Sequence, residues 1–75
     1  MKRTLEELID ECNEKIEALP SEEERFTERR KLHEWIHTYE VARQLEYGNK
    51  VLEKILNARN YIHAGNILID ARRAC

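Results

Sequence analysis

His33-Glu34-Trp35-Ile36-His37 places two histidines four residues apart, with a glutamate directly after the first. On a helix, residues i and i+4 lie one turn apart on the same face, so two imidazoles at this spacing can share one zinc ion. The intervening glutamate can then take a proton from a metal-bound water. Glu40 follows on the same face of the helix. Two histidines, one carboxylate and an open position for water make up the donor set of a catalytic zinc site. Metal-assisted hydrolysis is therefore the one bond-breaking chemistry that the residue types of this chain spell out.

The H-E-x-x-H pattern resembles the helix motif of the zincin metallopeptidases, over residues 30–39 only. The resemblance implies His33 and His37 as zinc ligands and Glu34 as general base. The chain departs from that family at several points. Lys31 stands two places before the first histidine, where the family has uncharged residues. Family members take their third ligand from a downstream segment and hold a peptide along a sheet edge, whereas no stretch here reads as a strand. Glu40 on the same helix is a different arrangement. The other reading of these residues is a polar face in which His33, His37 and Glu40 pair at i,i+4 and i,i+3, each pair worth about 0.2–0.5 kcal/mol. The second reading is favoured, so no catalytic residue, metal ligand or cofactor is assigned. A zinc-dependent hydrolase stands as an alternative function.

The elements that would carry such residues are helical. The chain has 75 residues, 37% of them charged, with two glycines and one proline. It makes one domain, residues 1–75, and a chain this short buries only about 60% of its unfolded surface on folding. Thr4-Leu5-Glu6-Glu7 is a capping-box pattern, and Leu5, Leu8, Ile9, Cys12, Ile16 and Leu19 follow at helical spacing. The first helix spans about 4–19, and Pro20 ends it. Ser21-Glu22-Glu23-Glu24 is a second capping-box pattern that opens a helix over about 22–47. Gly48 suits the left-handed conformation at its C-terminus. A third helix over about 50–73 puts Val51, Leu52, Ile55, Ala58, Ile62 and Ile69 on one stripe. This requires the helix to continue through Gly65, where a missing side chain permits close approach; the alternative is a break at Gly65-Asn66 and a short fourth helix. The expected fold is all-α: an antiparallel three-helix bundle built on a long helical hairpin.

The second helix carries apolar residues on two sides. Leu32, Trp35, Ile36, Tyr39 and Ala42 form its main stripe, while Phe26, Val41 and Leu45 lie across from them. A helix that is apolar on two sides sits between two neighbours. The second seam, with Phe26, Arg30, His33, His37, Val41 and Leu45, is the expected partner-binding surface and a dimer interface. Tyr47 and Tyr61 are expected to pack where the hairpin closes, and His63 to lie on the surface.

Charge is unevenly distributed. Residues 1–24 hold nine acids against three bases, and residues 25–75 hold ten bases against six acids. An acidic first helix lying along a basic remainder accounts for this. Arg25, Arg29, Arg30 and Lys31 follow three glutamates, and Glu-Arg pairing at i,i+4 is expected to neutralise much of the cluster. With a sequence pI near 5.9 the chain lacks the uncompensated basic face of a nucleic-acid reader; a nucleic-acid-binding helical dimer is a second alternative. No apolar run reaches a membrane span, no secretory segment is evident, and two cysteines make a poor disulfide framework. Cys12 is expected as a buried inert thiol and Cys75 as the oxidisable one. Together these features imply a cytoplasmic, non-enzymatic regulator, inhibitor or adaptor that binds protein through a helical face. By analogy of size and composition, it is of the kind common among bacterial and phage accessory proteins.

Purified protein is expected to carry far less than one zinc per chain, and the double change His33→Ala, His37→Ala to leave the helical signal and the urea midpoint unchanged. A structural zinc contributes an apparent free energy of about 10–16 kcal/mol in small zinc-finger peptides, comparable to the whole stability of a small domain, and could not be deleted silently. Stoichiometric zinc with chelator-sensitive peptide cleavage, lost in Glu34→Gln, would establish the hydrolase instead.

Overall fold

A computed structural model describes residues 2–74, which form four helices and no strand. These are α1 (Leu5–Glu17), α2 (Glu22–Gln44), α3 (Asn49–Leu56) and α4 (Tyr61–Arg73), joined by four-residue links. The all-α class is as expected. The three-helix arrangement is not, because the expected third helix is two helices.

At the start of α1 the capping box is complete. The Glu7 backbone N–H donates to Thr4 Oγ1 at 3.1 Å, and the Thr4 N–H donates to Glu7 Oε1 at 3.0 Å. That backbone bond from Thr4, more than any other cause, holds the Glu7 carboxyl below its usual range. The start of α2 is capped from one side only: Ser21 Oγ accepts from the Glu24 N–H at 3.1 Å. Glu22, in the first turn, pairs with Arg25 at 2.6 Å, and its carboxyl is lowered in consequence.

The end of α2 differs from expectation. The helix stops at Gln44, short of Tyr47, and the left-handed residue is Glu46, with φ 60°, not Gly48. The Tyr47 N–H reaches Ala42 O at 3.2 Å, and the Glu46 N–H reaches Arg43 O at 3.0 Å. This pair of bonds is a Schellman motif, and it satisfies carbonyls that the helix end would leave open. Gly48, with φ −69°, is in extended backbone and serves as the N-cap of α3.

The expected continuous helix over 50–73 is interrupted at 57–60, and not at Gly65-Asn66. Asn57 donates through Nδ2 to Glu53 O at 2.8 Å and accepts from the Arg3 backbone at 3.2 Å. Asn60 Oδ1 accepts from the His63 N–H at 2.9 Å and so starts α4. Asparagine is favoured as an N-cap because its short side chain reaches the free amides of the first turn. Gly65 lies inside α4, and a methyl group placed there would meet no atom within 4 Å, so it permits no close approach within the chain.

Breaking the helix resets its phase. Val51, Leu52, Ile55 and Ala58 face the core as expected, but Ile62 and Ile69 are 59% and 49% exposed. Ala64, Ile67 and Leu68 turn inward in their place.

α2 is the central element: α1, α3 and α4 each pack on it, and α3 also packs on α4. Its inward face is the stripe expected from sequence, with Leu32, Trp35 and Ala42 buried and Ile36 and Tyr39 against them. Trp35 also donates through Nε1 to Ile55 O at 2.7 Å in a buried setting. Arg3 completes the joint. Its Nε donates to Leu56 O at 2.8 Å, its second terminal nitrogen donates to the same carbonyl, and its Cζ lies 5.3 Å from the Trp35 ring centroid.

Glu46 holds a conformation that costs an L-residue roughly 1–2 kcal/mol, partly offset by the backbone freedom that glycine would lose on folding. Glu46→Gly is therefore expected to raise unfolding stability by about 0.5–1 kcal/mol in urea titrations. A loss of stability would mean that the Glu46 side chain holds the turn by some other contact.

Candidate functional site

Two surfaces stand out on this fold, one foreseen in the sequence and one not. The foreseen surface is the side of α2 turned away from the core. Phe26, Arg30, His33, His37 and Leu45 are exposed there, and Val41 is half-buried. Phe26 and Leu45 rank among the most exposed large apolar side chains, at 62% and 49%. Neither α1 nor any other described element covers them. Tyr61 from α4 joins Phe26, Thr27, Arg30, Lys31 and Glu34 around a shallow depression, so the start of α4 borders the same face.

The H-E-x-x-H residues fall on this outer face. His33, Glu34 and His37 are all exposed. Thr38 Oγ1 donates to the backbone carbonyl of Glu34 at 2.9 Å, a bond within the helix. The polar pairs expected of His33, His37 and Glu40 do not form. Glu40 lies 3.6 Å from Arg43, and neither histidine hydrogen-bonds to a described residue. Among the described residues no three His, Cys, Asp or Glu side chains are placed to hold one metal ion.

Charge neutralisation in α2 also takes a different spacing. Glu22 with Arg25, Glu28 with Lys31 and Glu40 with Arg43 pair at i,i+3, not i,i+4. Arg25 additionally donates to Leu19 O, tying the start of α2 to the segment before it. Among the described residues, no acid of α1 pairs with a base of α2, α3 or α4; Glu11 pairs with Arg3 at 3.1 Å. The acidic first helix is thus not held along the basic remainder by ion pairs. The link between segments that is made by charge joins Lys2 to Glu53, at 3.4 Å.

The second surface is a groove of about 270 Å³ where α1, α2 and the start of α4 meet. Its floor is apolar, with Ile16, Leu19, Leu32 and Trp35 from α1, its following link and α2. Lys15, Lys31 and Arg59 stand at the rim with Glu28. Sequence reading passed over Lys15 and Arg59, because helical spacing shows which residues share a face of one helix and not which faces fail to close on each other. Cys12 also lines the groove, and it is half-buried and not fully buried as expected. Burial pushes its thiol pKa up, and the positive charges of Arg3 and Lys15 only partly oppose this. The expectation for Cys75 lies outside the described residues. No described helix is long and apolar enough to cross a membrane.

Comparison with protein-family models, with curated proteins and with solved structures finds no match to this chain.

A thiol whose folded pKa is raised favours the native state below its ordinary value, and that contribution fades as pH climbs through the folded one. In a Cys75→Ser background, Cys12 is expected to react with iodoacetamide at pH 8.5 several-fold more slowly in the native chain than in urea, because the thiolate is the nucleophile. Equal rates in the two states would remove the argument from burial.

Proposed function

We propose that this protein is a non-enzymatic binding module, a regulator, inhibitor or adaptor that docks the outer face of α2 onto a protein partner and also self-associates through that face. The observation that carries the reading is the exposure of Phe26 and Leu45 at the two ends of a face that also bears Arg30, His33 and His37. Large apolar side chains interspersed with cationic and hydrogen-bonding ones are what an interface core and rim require.

The shape of the molecule supports the same reading. It measures 43 × 22 × 19 Å, with a radius of gyration of 12.9 Å against the roughly 11 Å of a compact chain of this length. Its accessible surface is 5801 Å², about a fifth more than the roughly 4,900 Å² of a folded monomer of 9.0 kDa. The excess is of the order of the ~800 Å² that each partner loses in an interface of ordinary size.

The mechanism is helix-on-helix or helix-in-groove packing. Apolar anchors supply the burial, while the flanking charges steer approach and select the partner.

Sedimentation equilibrium with reducing agent present is expected to show a dimer at micromolar concentration, weakened in Val41→Glu, which would bury an unpaired charge. Phe26→Glu with Leu45→Glu is expected to leave stability within about 0.5 kcal/mol, both sites being exposed, while abolishing capture of a stoichiometric partner from the source cells. Glu14→Gln on α1 serves as the control that keeps capture. A strict monomer whose capture profile is indifferent to all these changes would sink the proposal.

A further inference from the structure

We infer that the groove between α1, α2 and the start of α4 is a binding site for a small apolar carboxylate, its hydrocarbon on the floor and its charge at the cationic rim. The groove shares Lys31 and Tyr61 with the edge of the outer α2 face, but its binding does not depend on the function proposed for that face.

Its shape selects the size of the occupant. The volume of about 270 Å³ lies just below the roughly 300–1,000 Å³ of small-molecule sites, so the occupant is small. Ile16, Leu19, Leu32 and Trp35 offer apolar contact, and the neutral thiol of Cys12 adds to it.

Its charge selects the sign of the occupant. Lys15, Lys31 and Arg59 face one acid, Glu28, whose carboxylate is engaged by Lys31 at 2.8 Å. Among the described residues, neither Lys15 nor Arg59 has an ion-pair partner. The rim therefore carries two uncompensated positive charges on a chain whose formal net charge is −2. An apolar floor beneath a cationic rim is complementary to an amphipathic anion. It is mismatched to a neutral or cationic amphiphile of the same length.

Trp35 is the one tryptophan of the chain and lines the groove, so its emission reports occupancy directly. The full chain would be titrated below micelle-forming concentrations with decanoate, decanol and decylamine as probes. Decanoate is expected to change the Trp35 emission saturably and to slow alkylation of Cys12; decanol and decylamine are expected to do so much more weakly. Lys15→Glu with Arg59→Glu, both at exposed positions, is expected to weaken decanoate by about tenfold and to improve decylamine, since the attraction is between partly exposed charges. If the charge reversal perturbs the helical signal, Lys15→Gln with Arg59→Gln provides the same comparison with a smaller effect. An unchanged emission, an equal response to all three probes, or undiminished decanoate binding by the folded variants would overturn the assignment.

Discussion

The fold depends on how the carbonyls at the end of α3 are satisfied. A helix terminus leaves its last carbonyls without partners, and burying them unpaired would cost about 1–3 kcal/mol each. Glu53 O takes the Asn57 N–H at 3.0 Å and Ile55 O the Ala58 N–H at 3.4 Å, but further partners of Ile55 and Leu56 come from far away in sequence. Trp35 donates its indole N–H to Ile55, and Arg3 donates its guanidinium to Leu56 while lying over the same indole ring. One joint therefore connects the segment before α1, the middle of α2 and the end of α3. It is also what allows the chain to stop being helical at Asn57, because the bonds that a continuing helix would have made are made by side chains instead.

The consequences extend to both surfaces. Four residues of non-helical chain at 57–60 re-aim α4, so Ile62 and Ile69 leave the core stripe that helical spacing assigned them. The same segment carries Arg59 and Asn60 to the edge of α2 opposite Lys15 of α1, which is where the groove opens. A single straight third helix would have carried the 57–60 segment along the core and left no such meeting point. The elongated shape and excess surface follow as well, since α1 is short and covers only part of the much longer α2.

The H-E-x-x-H stretch illustrates how a motif is decided by its surroundings. Spacing alone puts His33 and His37 on one face, and the structure keeps them there. That face is bordered only by the start of α4, and among the described residues no further His, Cys, Asp or Glu joins them in a group that could hold a metal ion. Trp35, inside the motif, has the opposite role: it is turned inward and holds the bundle together. The residues between the histidines thus determine the fold more than the histidines do.

Much of the secondary structure was legible because it rests on short-range chemistry. The all-helical class, the capping box at Thr4, the N-cap at Ser21 and the inward stripe of α2 each depend on residues within a turn or two of one another. The outer apolar face of α2 was legible for the same reason. The sequence by itself misassigned the turn after α2, where Gly48 was taken as the signal, and the break after α3, where one continuous helix was expected. At the first, the Schellman bonds placed Glu46, not Gly48, in the left-handed conformation. At the second, Asn57 and Asn60 carried the break, and its stability came from Trp35 and Arg3, partners more than fifty residues away in one case. Local spacing fixes which side of a helix is apolar. Where a helix stops, what its neighbour's side chains supply and which faces fail to close are decided by tertiary contacts, because an unpaired carbonyl is satisfied by whichever donor the folded chain brings within reach.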